Sequence, residues 1–360
     1  MLYTGIDLHK RYSVFTTLNL VGETIAKEKI ENRPELIRQY FNKLDQDKHQ
    51  AVIEACFAWG WLADELESNK IHVMLAHPAK TKVIASARIK TDTVDSKTLA
   101  DLLRTNYLAE AHYTPAATRD LQELLRSRAR IVFTRSSLKH KLSSILHKHN
   151  LNPEWDDLTI TDMFGKAGRA WMEEKKNLLP PHTRFVFDEI LESIDHLKGQ
   201  IDEFGTKINE VVPQNETATM LAQLPGIGNY SALLLAAEIG DISRFKTAES
   251  LCSYAGLVPS VYQSGDKEAR MGRIKPGNKY IRWILLQGAP KAILKDHHLG
   301  EFYRKLCSKK GAKKAKVATA RKMLSQIHWI LSHNQLLIQG PGTPAYFSDS
   351  RGKTNWLTSL

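Results

Sequence analysis

KTDTVDSKTLADLL, residues 90–103, carries two aspartates, Asp92 and Asp95, three residues apart where a helix reads as beginning. On a helix that spacing puts both carboxylates on one face. Two accounts of the pair are open. Asp92 can be an N-cap, with Asp95 the acid of the first turn favoured by the helix dipole. Alternatively, the pair belongs with two isolated acids upstream, each placed where a strand would present it. These are Asp7 in YTGIDLHK (3–10) and Glu54 in AVIEACFAWGW (51–61). Four carboxylates from two strands and one helix can converge and hold two divalent metal ions, the donor set of a phosphodiester-cutting site.

The surrounding pattern supplies those strands. Residues 2–7, 12–19 and 24–30 read as strands, with Val21-Gly22-Glu23 turning between the last two. A helix follows at 33–44, with Leu36, Ile37, Tyr40, Phe41 and Leu44 at helical spacing. Then come a short strand at 51–54, a helix at 59–68, a strand at 71–75 and a helix opened by His77-Pro78. Three strands in a row followed by strands alternating with helices predict a mixed sheet covered by helices, an order that resembles the ribonuclease H fold. Asp101 lies six residues beyond Asp95 and points elsewhere.

Beyond residue 112 the pattern turns helical. Residues 118–150 and 184–211 read as two long amphipathic helices, with prolines, Trp155 and a smaller helix between them. They suggest a coiled-coil hairpin over 113–212, used for packing within one chain or for dimerisation. The basic face of the first carries Arg126, Arg128, Arg130, Arg135, Lys139 and Lys141. His140, His147 and His149 beside them read as part of a solvated basic face rather than a zinc site.

The 213–345 region reads as a mainly α domain. LAQLPGIGNYSALLLAAEIG (221–240) has the form of a helix-hairpin-helix, in which Gly226 and Gly228 permit a tight turn. Backbone N–H groups at the start of the second helix can then hold a DNA phosphate, or the turn can be plain packing. VYQSGDKEARMGRIKPGNKYIRWILLQGA (261–289) holds six basic residues, Lys267, Arg270, Arg273, Lys275, Lys279 and Arg282, between Asp266 and Arg282. Its glycines predict a loop until a helix near Asn278. Ser264 at its mouth is a turn residue or a nucleophile approaching an anionic phosphate in a basic setting. Residues 302–322 carry nine basic residues and no acid, among them Lys309, Lys310, Lys313, Lys314, Lys316 and Arg321. This is the densest positive patch of the chain, and contact with a nucleic-acid backbone is its direct reading. Residues 346–360 form a polar tail.

The totals agree with that partner. A chain of 360 residues with 42% hydrophobic content can build two or three cores. A net charge of +12 points to an acidic partner, most simply nucleic acid. Cys56, Cys252 and Cys307 are scattered and form no CxxC pair, which argues against a disulfide framework or a cysteine zinc site. With no long apolar run, the expectation is a soluble cytoplasmic, nucleoid-associated protein with no membrane partner.

GIDLHK, Glu54, KTDTVDSKTLADLL, LPGIG with AEIGD, and YAGLVPSVYQSG with GNKYIRWIL occur in an order that resembles the insertion-sequence 110 family of transposases, which includes Piv-type DNA invertases. The resemblance implies a RuvC-like domain over 1–112, with a DEDD tetrad on Asp7, Glu54, Asp92 and Asp95 binding magnesium. It implies a nucleophilic serine at Ser264 in the QSG motif, with Ser260 a weaker match. It also implies a composite centre shared between protomers of a dimer or tetramer, and a structured bridge RNA whose loops pair with donor and target DNA. The alternative reading is a RuvC-like junction nuclease that hydrolyses DNA at the metal site alone, with Ser264 a turn residue. A non-catalytic binding protein and an actin-like ATPase rank lower. No GxxxxGK[ST] loop is present, and Leu8-His9-Lys10 lacks the small residues that an actin-like phosphate loop needs after the aspartate.

Overall fold

The computed structural model describes residues 1–44, 48–84, 92–153, 160–262, 270–274 and 277–334, with 92–93, 259–262 and 270–274 described as backbone alone. The chain forms two compact units, Met1–Arg119 and Asp120–Leu360.

The first unit is a mixed sheet with helices. Its strands are β1 (Leu2–Leu8), β2 (Tyr12–Leu18), β3 (Thr24–Glu31), β4 (His49–Glu54), β5 (His72–Ala76) and β6 (Glu110–Ala111). The sheet order is β3-β2-β1-β4-β5-β6. β1 to β3 form an antiparallel meander, whereas β4 runs parallel to β1 and β5 parallel to β4. β6 pairs antiparallel at the edge and was not expected from the sequence. The helices are α1 (Pro34–Asn42), α2 (Trp59–Ser68), α3 (Pro78–Ile84) and α4 (Asp92–Arg104).

Alternation along the strands divides the unit's apolar side chains between two faces. On one face Ile6, Phe15, Ala51, Ile53, Val73 and Leu75 pack with side chains of α1 and α2. On the other, Tyr3, Val52 and Ala76 pack with Leu99 and Leu103 of α4.

The second unit holds most of α5 (Ala116–Lys148), then α6 (Lys166–Lys175), α7 (Pro181–Val211), α8 (Glu216–Leu221), α9 (Asn229–Ile239) and α10 (Ala248–Tyr254). A hairpin of β7 (Pro259–Tyr262) and β8 (Arg270–Ile274) follows, and then α11 (Lys279–Lys295), α12 (His297–Lys310) and α13 (Ala312–His333). The buried residues of α7 are Phe187, Ile194, Ile201 and Ile208, one every seventh residue. Three of them join two cores. Phe187 and Ile194 pack with Leu142, Ile145 and Trp171, whereas Ile208 joins the large core built on α9, α11 and α13.

One expectation is corrected here. The 261–277 segment is not a loop throughout, because Val261 and Tyr262 of β7 pair antiparallel with Met271 and Arg270 of β8. The basic 302–322 stretch lies on two helices broken at Gly311, whose φ of +80° suits glycine.

Candidate functional site

Asp7 and Glu54 reach the same edge of the sheet through strand register. Ile6 of β1 pairs with Ile53 of β4 in parallel, so the next residue on each strand, Asp7 and Glu54, stands beside the other. Both fall on the α4 face, because Tyr3 and Gly5 precede Asp7 there and Val52 precedes Glu54.

α4 is drawn down at Gly5. A Cβ at that position would stand 1.9 Å from the Ser96 carbonyl oxygen and 2.5 Å from the Ala100 nitrogen, so no larger residue fits. Thr16 Oγ1 and Ser96 Oγ, both buried, lie 2.8 Å apart and fix the same crossing from β2. Leu99 and Leu103 contact the level of Tyr3, and Ser96 and Ala100 the level of Gly5. α4 therefore runs antiparallel to β1. Two strand residues advance about 6.6 Å, or roughly four helical residues. The first turn of α4, which holds Asp92 and Asp95, therefore comes level with Asp7. Asp95 is half-buried, and Asp92 is the first residue of the helix. Asp101, at the far end, is held by Arg104 at 3.1 Å.

His9 was not anticipated in this site. Its Nε2 lies 3.2 Å from Asp7 Oδ2, and its ring packs on Tyr12 with centroids 4.8 Å apart. Two-residue spacing on a strand was the available signal, since it puts His9 on the face of Asp7. All the acid donors are hard oxygens, which suit magnesium better than a softer metal. Asp7, Glu54 and Asp95 are not drawn into a tight ligand cluster among the described residues. The group that is, with ligand atoms within 4.8 Å, is His297, His298 and Glu301 on α12 in the second unit.

In the second unit, the two glycines of LPGIG have different roles. Gly226 has a φ of +81°, and a Cβ there would meet the Gly288 carbonyl oxygen of α11 at 2.4 Å. Packing and backbone conformation together require glycine at this position. Gly228 precedes α9 as its N-cap, with no side-chain cap and open space around its Cα. The cleft around this turn is also lined by Ser231, Gln287, Lys291 and Lys295, and the sequence reading missed both lysines. They are four apart on α11 and so share a face, but nothing local in the sequence aims that face at the turn.

The basic residues differ in what they face. Arg126, expected on a solvated face, is instead half-buried. It donates through Nε to Glu238 Oε1 at 2.6 Å and through a terminal nitrogen to Oε2 at 2.8 Å. The Glu238 hydrogen bonds are the largest influence on this guanidinium and raise its pKa. Glu238 also accepts from Asn278 Nδ2 at 2.6 Å. Asn278 caps α11 by accepting from the backbone of Tyr280 and Ile281. Arg128 stacks over Tyr230 at 4.1 Å, and Lys139 over Phe164 at 4.4 Å.

By contrast, Lys309, Lys310, Lys313 and Lys314 are exposed around the Gly311 break, with Lys316 and Arg321 half-buried on α13. Lys322 lies over Phe302 at 4.4 Å, and burial lowers its pKa. Lys279 is exposed and Arg282 half-buried on α11, whereas Arg270 and Arg273 lie on β8. Ser264, Lys267 and Lys275 lie outside the described residues. No helix among the described residues is long and apolar enough to cross a membrane.

Acids thus stand at one sheet edge of the first unit, and exposed lysines stand around one helix break of the second. Comparison with known proteins makes the class specific. A DEDD transposase model of the IS110 group matches residues 4–151, and the model described as Transposase IS116/IS110/IS902 family matches residues 218–304. The chain belongs to this transposase family, whose substrates are DNA.

Its relatives include the transposase for insertion sequence element IS1111A of Coxiella burnetii, 24% identical over 92% of this chain and 89% of that one. The transposase for IS1328 of Yersinia enterocolitica is 24% identical over 71% of this chain and 76% of that one. The pilin gene-inverting protein of Moraxella bovis is 32% identical over 45% of this chain and 54% of its own length.

Proposed function

We propose that the chain is a DNA recombinase in which Asp7, Glu54, Asp92 and Asp95 hold divalent metal, most simply magnesium, and Ser264 is the nucleophile. The observation that carries the first half is the antiparallel crossing of α4 over β1, which brings both helix acids level with Asp7 and Glu54. The 3-2-1-4-5 strand order, with its antiparallel meander and parallel second half, supports a ribonuclease H-like, RuvC-type domain. Magnesium at this edge would neutralise the scissile phosphate. His9 beside Asp7 would help to orient that carboxylate.

Ser264 Oγ would attack the phosphorus, a phosphodiester P–O bond would break, and the departing DNA hydroxyl would take up the serine proton. A hydroxyl of a different DNA end would then displace the serine, which regains its proton. Bond energy is kept in the phosphoserine, so rejoining needs no nucleotide cofactor. The antiparallel pairing of β7 with β8, the strands that flank the QSG segment in sequence, supports this role. Gly228, open at the start of α9, and the lysines of α12 and α13 would hold DNA or RNA phosphates.

Guidance by a bridge RNA, assembly into a dimer or tetramer with a composite centre, and coiled-coil pairing of α5 with α7 belong to the same reading. The seven-residue spacing of buried side chains on α7 supports the last of these. Domain limits of 1–112, 113–212 and 213–345 complete it.

The test is a trap for covalent protein–DNA complex, formed with magnesium, co-purifying RNA and DNA spanning the element's junction. A shifted protein band lost in both Ser264→Ala and Asp92→Ala is the expected result. Cut DNA without a covalent band, unchanged by Ser264→Ala, would replace this reading with a nuclease acting through metal alone.

A further inference from the structure

The chain turns sharply where β4 ends. The Ala55 N–H donates to the Ala76 carbonyl at 2.9 Å, and the Cys56 N–H to the Glu54 carbonyl at 2.7 Å. Phe57 follows within about 10 Å of Glu54, the reach of three residues. Its side chain is 93% exposed, more than any other large hydrophobic among the described residues. Trp61, four residues on at the start of α2, is also exposed, at 36%. Trp59 between them is different: it packs on Tyr113 with centroids 5.3 Å apart and lies under Arg119 at 4.7 Å. Phe57 makes no ring or cation contact among the described residues.

We propose that Phe57, with Trp61 a turn behind it, is the stacking platform for a DNA base next to the phosphate held at the Asp7–Glu54 edge. The inference rests on the carboxylate reading above and adds a recognition element to it. A nucleobase is the favoured occupant because of position. A phosphate worked on by Glu54 carries its base one sugar away, within reach of a ring three residues along the chain. An aromatic face accepts any base, so the platform would grip an unstacked nucleotide without reading its identity. That suits an enzyme that must hold different donor and target ends at one site. A second copy of the chain covering Phe57 is the competing occupant.

The experiment uses full-length protein with its co-purifying RNA and junction DNA carrying 2-aminopurine at each nucleotide flanking the cut in turn. Calcium replaces magnesium for binding, and magnesium is supplied for cleavage. One position should change fluorescence on binding wild type but not Phe57→Ala, and Phe57→Trp should restore the change. Cleavage should fall roughly 5- to 150-fold in Phe57→Ala, the loss expected for one stacked base. It should recover in Phe57→Trp but not in Phe57→Leu, with the melting temperature unmoved throughout.

Equal cleavage by Phe57→Leu and wild type would overturn the proposal, as would fluorescence indifferent to residue 57. A change in sedimenting mass of Phe57→Ala without DNA would assign the ring to a protein interface instead. Asp7→Asn separates the two readings, because it should abolish cleavage while keeping the fluorescence signal. Continued cutting by Asp7→Asn would remove the carboxylate reading and leave the fluorescence to judge the platform alone.

Discussion

Gly5 of β1 meets Ser96 of α4 so closely that a Cβ at position 5 would stand 1.9 Å from the Ser96 carbonyl oxygen. This contact sets how near α4 lies to the sheet and so where its first turn falls. Gly5→Ala must push backbone against backbone, which costs about 1–3 kcal/mol or more. The expected outcome is a lower denaturation midpoint and strand cleavage reduced beyond what the loss of folded protein explains. Ser96→Ala removes the 2.8 Å contact with Thr16 and should cost about 1 kcal/mol. Equal activity of Gly5→Ala and wild type would show that the helix crossing does not position the acids.

Glu238 is buried and binds Arg126 through both carboxylate oxygens, with Asn278 as a second partner. Removing the acid leaves a half-buried guanidinium without its carboxylate partner. Glu238→Ala is expected to cost about 3–5 kcal/mol, and the double variant Arg126→Met with Glu238→Leu should recover most of it. Urea unfolding of wild type, Glu238→Ala and the double variant measures both the loss and the recovery. A double variant as unstable as Glu238→Ala would mean that the loss comes from uncapping α11 through Asn278, not from the stranded charge.

The pattern of gains and misses has physical causes. The acids at 7 and 54 were legible because each interrupts an apolar strand at or next to its last residue. The pairing of those strands was legible from three strands in a row followed by alternation with helices. The direction of α4 was not legible, because it depends on a contact between Gly5 and Ser96 that no periodicity records. β6 is two residues long, too short for any period to appear. β8 reads Arg-Met-Gly-Arg-Ile, which lacks a clean apolar face, so its pairing with β7 was masked by its charge and glycine. Lys291 and Lys295 were missed because they reach the LPGIG turn only through the Gly226–Gly288 approach.

His49 should make the first unit sensitive to acid. Its Nε2 lies 2.6 Å from Thr4 Oγ1, which begins a chain through Thr17 to the Tyr40 hydroxyl. Burial, and secondarily the N-terminal ammonium, lowers its pKa from 6.5 to about 4. The folded state thus refuses a proton that the unfolded chain accepts. The stabilisation is complete above pH 6.5, is lost as the pH falls from 6.5 towards 4, and changes no further below that. After discount for partial exposure it amounts to on the order of 1–2 kcal/mol. Denaturant midpoints at pH 7.5 and pH 5 should differ by less in His49→Gln than in wild type. An identical pH slope in both would remove His49 as the cause.

Lys313 and Lys314 sit in the first turn of α13, where the helix dipole is positive and a cation is unfavourable. Lys309 and Lys310 end α12, where the dipole favours them. Stability therefore argues for one pair and against the other, and only an anionic partner rewards all four. Replacing Lys313 and Lys314 with Gln should leave stability unchanged or raise it by about 0.3–1 kcal/mol. The same change should weaken DNA binding and flatten its dependence on log salt by roughly 1–2 units, near 0.9 per lost phosphate contact. Gln at 309 and 310 should flatten the slope similarly while lowering stability slightly. Binding titrations across salt concentrations, read beside melting curves, check both pairs. A salt slope unaltered by either change would show that this end of the helices does not face phosphate, whatever the stability data show.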